Sequence, residues 1–203
     1  MVFLGQEIAA VVLQASIIGV TSYFFLEYPV PAWLLSFFLH KGILHFLANI
    51  ALIGIIGRVV EQYFSTGAYL QFIAVAAVFS GIGAFLFRAP FTPKPVAAYG
   101  ASGFGYALAT YSFYLPFKGD VSSLNSLKPE NLRSNTTPAE RFVFLLGVSA
   151  IIQITYNLAT GPYFTVEWTN GAHLIGGLVG LAIGWTYPPT MSERARRIRL
   201  TST

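Results

Sequence analysis

Apolar residues in this chain fall into long blocks separated by short polar breaks. Six blocks stand out: about Ile8 to Leu26, Trp33 to Gly57, Ala68 to Phe87, Ser102 to Phe117, Phe142 to Ala159 and Gly171 to Tyr187. A helix needs roughly 20 mostly apolar residues to cross the hydrocarbon of a bilayer. The pattern therefore predicts an all-α polytopic membrane protein with six transmembrane helices, both termini on one side. The fourth block is expected to be a short helix, because Ala89-Pro90-Phe91-Thr92-Pro93-Lys94-Pro95 before it cannot be regular helix: each proline lacks an N–H and restricts the residue it follows. Irregular backbone at membrane depth is tolerated around water-filled cavities, so a wet pocket is expected at the head of that helix.

Composition agrees. Of 203 residues, 55% are hydrophobic and 10% charged, with mean hydropathy +0.63, whereas soluble domains carry about 25% charged residues. Met1 to Ala10 holds no Lys or Arg, and the apolar stretch is long for a signal peptide, so the first block is expected to be a retained span. The absence of cysteine excludes disulfides, thiolate metal sites and a cysteine nucleophile.

Charge placement sets orientation. With a cytoplasmic N-terminus, the inside segments hold Arg58, Lys118, Lys128, Arg133, Arg141, Arg194, Arg196, Arg197 and Arg199, and the outside segments only Lys41, Arg88 and Lys94. Nine against three satisfies the positive-inside rule, so both termini are expected in the cytoplasm of a multi-pass protein of the cell membrane. The chain reads as a single transmembrane domain over 1–190 followed by a basic cytoplasmic tail, 191–203. That tail is an orientation signal rather than a nucleic-acid site. Lys118 to Glu140, rich in Ser, Asn and Pro, reads as a flexible loop, and Gly161 to Asn170 as a short external loop covering the pocket.

Polar groups inside these blocks are costly and therefore informative. Ser102, in Gly100-Ala101-Ser102-Gly103, sits near a helix start, where free N–H groups and the helix dipole favour negative charge. Alone, the motif suits small-residue packing better than chemistry. His173 precedes Gly176, Gly180 and Gly184, a stripe that permits close helix contact; against the fourth span it brings Ser102 and Tyr106 within reach. In the second span, His45 and Asn49 are four apart and share a face, two donors suited to a developing oxyanion. Interhelical hydrogen bonding is the alternative for each. A metal centre built on His40, His45 and His173 is weakly supported, since no acidic residue or cysteine accompanies them.

Together these residues resemble the rhomboid family of intramembrane serine proteases. The resemblance rests on His40-x4-His45-x3-Asn49, on Gly-x-Ser-Gly-x-x-Tyr-Ala from Gly100 to Ala107, and on Ala-His-x-x-Gly-x-x-x-Gly from Ala172 to Gly180, in that order. It implies a rhomboid-like bundle and a Ser102–His173 dyad without cofactor. It further implies that His45 and Asn49 help form the oxyanion hole, that Tyr106 packs on His173, and that His40 supports the site. Phe142 to Asn170 would be gate and cap, and the substrates single-span membrane proteins cut in or near their spanning segment. The chain departs from the family's pattern at Trp33-Leu34, where a Trp-Arg pair is common, and in a first loop of only about Glu27 to Ala32. Glu61 matches a common acidic position and is expected to be structural. Two other classes compete: a relative that binds membrane clients without cutting, and a small transporter or metal carrier, although no internal repeat supports transport. The oligomeric state has no signature in the sequence.

Overall fold

A computed structural model describes residues 43–86, 101–117, 127–160 and 169–190. Among these, every regular element is helical. In chain order they are α1 (Ile43–Val60), α2 (Thr66–Leu86), α3 (Ser102–Ser112), α4 (Pro129–Asn135), α5 (Pro138–Thr160) and α6 (Thr169–Thr186), with 3-10 turns at Glu61–Tyr63 and Leu115–Phe117. Three of them, Ile43–Tyr63, Thr66–Ala84 and Pro138–Thr160, are long and apolar enough to cross a membrane; Gly171–Thr186 is a shorter apolar helix. The first expected span, Trp33, the proline run 89–95, residues 161–168 and the basic tail lie outside the described residues.

The short helix α3 is the axis of the bundle. From Gly103 to Ser112 it is buried at every position except Tyr106, which is half-buried. It packs on α6, α5, α1 and α2, and α6 packs on α2 as well. Large apolar side chains point the other way: Leu44 and Ile50 on α1, Leu70 and Phe79 on α2, Leu145 and Ile152 on α5, and Trp185 on α6 are all exposed. Apolar surface this extensive is foreign to a water-soluble monomer and fits a protein solvated by lipid.

Lipid supplies no hydrophobic drive between helices, so they associate by close packing and interhelical hydrogen bonds. The α3–α6 seam shows both. A Cβ on Gly176 would overlap the Gly103 carbonyl, one on Gly180 the Ala107 carbonyl, and one on Gly184 the Tyr114 ring. Beside them the Thr110 hydroxyl donates to the Gly177 carbonyl at 2.8 Å. On the opposite side, Gly147 of α5 lies against the Ala109 carbonyl, and the Ser112 hydroxyl donates to the Val143 carbonyl at 2.6 Å.

The expected loop from Lys118 to Glu140 is corrected in its second half, where α4 forms and α5 begins. Pro129 opens α4, with Glu130 in its first turn and Arg133 in its last, complementing the helix dipole. Thr137 caps α5 reciprocally: the Glu140 N–H donates to the Thr137 hydroxyl at 3.2 Å, and the Thr137 N–H to a Glu140 carboxylate oxygen at 2.7 Å. The other carboxylate oxygen accepts the Tyr63 hydroxyl. Glu140 is thus buried with its hydrogen bonds made, locking the foot of α5 to the end of α1.

Candidate active site

Ser102 is the first residue of α3. Ala101, at φ −80° and ψ 9°, stands at the cap, and its carbonyl accepts the Gly105 N–H at 3.0 Å. The N–H groups of Ser102 and its successor therefore precede the first hydrogen-bonded turn and point out of the helix end. Gly103 keeps the approach narrow, since a Cβ there would meet Ser80 of α2 and the Ala172 carbonyl of α6.

His173 lies one turn into α6, and its Nε2 is 2.9 Å from the Ser102 hydroxyl oxygen, across 71 residues of sequence. The imidazole is stacked on the ring of Tyr106, centroids 4.1 Å apart and planes 11° from parallel. The Tyr106 hydroxyl in turn donates to the Gln153 side-chain oxygen on α5. Four side chains from three helices thus form one line: Gln153, Tyr106, His173, Ser102.

On α1, Asn49 is 5% exposed, and its amide nitrogen has no hydrogen-bond partner among the described residues. An unpartnered buried donor is expensive, which marks it as a place where a missing acceptor would be welcomed. His45 lies one turn earlier on the same helix and is half-buried. Among the described residues no group of three His, Asp or Glu side chains is arranged to hold a metal ion.

The structure thus brings together Ser102, His173 and Tyr106, with Gly103, Gly176 and Gly180 in the seam behind them and His45 and Asn49 on the neighbouring helix. His40 and Gly100 lie outside the described residues. Two residues escaped the sequence reading. Gln153 carried no motif, only a long polar side chain in an apolar helix. Ser80 is buried with its hydroxyl unpartnered among the described residues, wedged where α2 meets Gly103 and Gly176.

Chemically, this arrangement holds a hydroxyl against a nitrogen base at the mouth of a helix whose free N–H groups favour negative charge. Comparison with known families finds that the rhomboid domain model matches residues 30–190. No curated protein and no solved structure matches the chain.

Proposed function

The chain belongs to the rhomboid family, a family of intramembrane serine proteases, and from that membership we propose that it is itself an intramembrane serine endopeptidase working through a Ser102–His173 dyad. The observation that carries the reading is the 2.9 Å contact between His173 Nε2 and the Ser102 hydroxyl. The substrates are single-span membrane proteins, cleaved in or near their spanning segment. The domain crosses the cell membrane six times with both termini in the cytoplasm, and the site opens toward the external side.

The chemistry follows from the atoms. With its proton on Nδ1, His173 offers the Nε2 lone pair to the Ser102 hydroxyl and takes its proton as the oxygen attacks a peptide carbonyl. The carbonyl oxygen becomes an oxyanion. Asn49, whose amide nitrogen is buried and has no partner among the described residues, supplies a preorganised donor to it, aided by His45 and by the Ser102 N–H at the start of α3. Because such donors are fixed before the charge appears, no reorganisation opposes them, and each is typically worth about 3 kcal/mol. Protonated His173 then passes its proton to the departing amine, leaving Ser102 acylated. Water, deprotonated by the same nitrogen, hydrolyses the ester and restores the site.

Treating detergent-solubilised protein with a fluorophosphonate probe tests this. Labelling at Ser102 that disappears in His173→Ala is expected; an unlabelled wild type, or turnover of membrane clients that is unchanged in Ser102→Ala, overturns it in favour of a client-binding protein.

A further inference from the structure

Tyr106 is fixed at both ends. Its Cβ is carried by α3, and its hydroxyl donates to the side-chain oxygen of Gln153 on α5. Between those ends its ring lies flat against His173. A stacked partner sets the plane of an imidazole only as well as its own ring is held, and a tyrosine ring tethered only at Cβ is free to swing about its side-chain torsions.

The helix that supplies Gln153 is held to the bundle at both levels. Near its start, α5 is locked by Glu140, by the Ser112 hydroxyl on the Val143 carbonyl and by Gly147 against α3. Beside the site, Ile154 packs on Leu174 and Tyr106, and a Cβ on Gly177 would strike it. Gln153 itself is exposed on a helix whose neighbouring positions, Ile152 and Tyr156, present large side chains outward. A side-chain amide on a lipid-facing surface costs free energy unless it is hydrogen-bonded, so its oxygen has reason to hold the Tyr106 hydroxyl.

We propose that Gln153 is a positioning residue: by holding the Tyr106 hydroxyl it fixes the plane of the His173 imidazole toward Ser102. The inference rests on the Ser102–His173 reading above. With the Gln153–Tyr106 bond made, the imidazole is stacked and its Nε2 is aimed at the serine hydroxyl. Gln153 never touches substrate; it acts through Tyr106.

Kinetics in proteoliposomes with a single-span substrate, alongside the rate of fluorophosphonate labelling of Ser102, test it. Gln153→Leu is expected to lower kcat and the labelling rate about three- to tenfold with KM unchanged, the scale of one neutral hydrogen bond. Tyr106→Phe, which removes the donor and keeps the ring, should do the same. The double variant should be no slower than either alone, since both break one bond. Gln153→Glu keeps an acceptor oxygen at the same reach and should stay within about twofold of wild type by the same bookkeeping. Wild-type rates in Gln153→Leu, or losses that multiply in the double variant, overturn the inference alone. Failure of the wild type to label overturns the dyad reading and this inference with it.

Discussion

The backbone carbonyl of Gly103 occupies the space that a Cβ on Gly176 would need. Those residues follow Ser102 by one position and His173 by three, so one of the two tightest approaches of the α3–α6 seam lies directly behind the two groups proposed to react. Any side chain at 176 must push the helices apart where their separation sets the Ser102–His173 distance.

Gly176→Ala is accordingly expected to abolish labelling of Ser102 by a fluorophosphonate and to lower stability in detergent by about 1 to 3 kcal/mol, the usual cost of overpacking. Gly54→Ala in α1 serves as the control, because nothing lies within 4 Å of a Cβ there; replacing a glycine inside an exposed helix should leave stability equal or raise it. Thermal unfolding of the two variants alongside the labelling assay gives the comparison.

The foot of α5 is expected to matter for stability and not for chemistry. Glu140 is 1% exposed and joins the Tyr63 hydroxyl to the Thr137 N–H. Glu140→Ala strands both donors and removes half of the capping box, a loss of about 2 to 4 kcal/mol. Tyr63→Phe removes a single bond and should cost about 1 kcal/mol. Both variants should label normally at temperatures well below their midpoints. A large loss of labelling in folded Glu140→Ala protein would contradict this division.

How much of this was legible beforehand follows from what each residue depends on. Blocks of apolar residues reveal membrane-capable helices directly: α2 and α5 match the third and fifth blocks, and α1 covers the described part of the second, from Ile43. The shortness of α3 was readable because prolines precede it. The stretch 129–140 was misread because Ser, Asn and Pro dominate its composition, although Pro129 at a helix start and the Thr137/Glu140 spacing were the signals that mattered. Gln153 was invisible for another reason. Its importance comes from a hydroxyl 47 positions away on another helix, a relation that no local spacing encodes. Ser80 is alike, its surroundings being set by Gly103 and Gly176 together.

The proposed dyad predicts a specific failure of additivity. Ser102→Ala removes the nucleophile, and His173→Ala removes the base the nucleophile needs, so each alone should abolish cleavage of a single-span substrate. The double variant should then be no slower than either. If His173→Ala instead keeps activity within about tenfold of wild type, the loss is that of a hydrogen-bonding neighbour and not of a general base, whose contribution is typically 10²- to 10⁴-fold.

Asn49 separates activity from stability in the opposite sense to Glu140. Its amide nitrogen is buried without a partner among the described residues, and a buried donor left unpaired typically costs about 1 to 3 kcal/mol. Asn49→Ala removes that donor along with its cost, while the small side chain leaves a modest gap in α1. Stability should therefore stay near wild type or rise. Activity should fall, because the oxyanion loses one fixed donor: about 10² to 10³ in kcat, with residual turnover from the remaining donors. A protein that unfolds on this substitution would show that Asn49 serves the fold. One that folds normally and is as inactive as Ser102→Ala would mean that the residue does more than stabilise the oxyanion. Measuring kcat and the unfolding midpoint on the same preparation distinguishes the three outcomes.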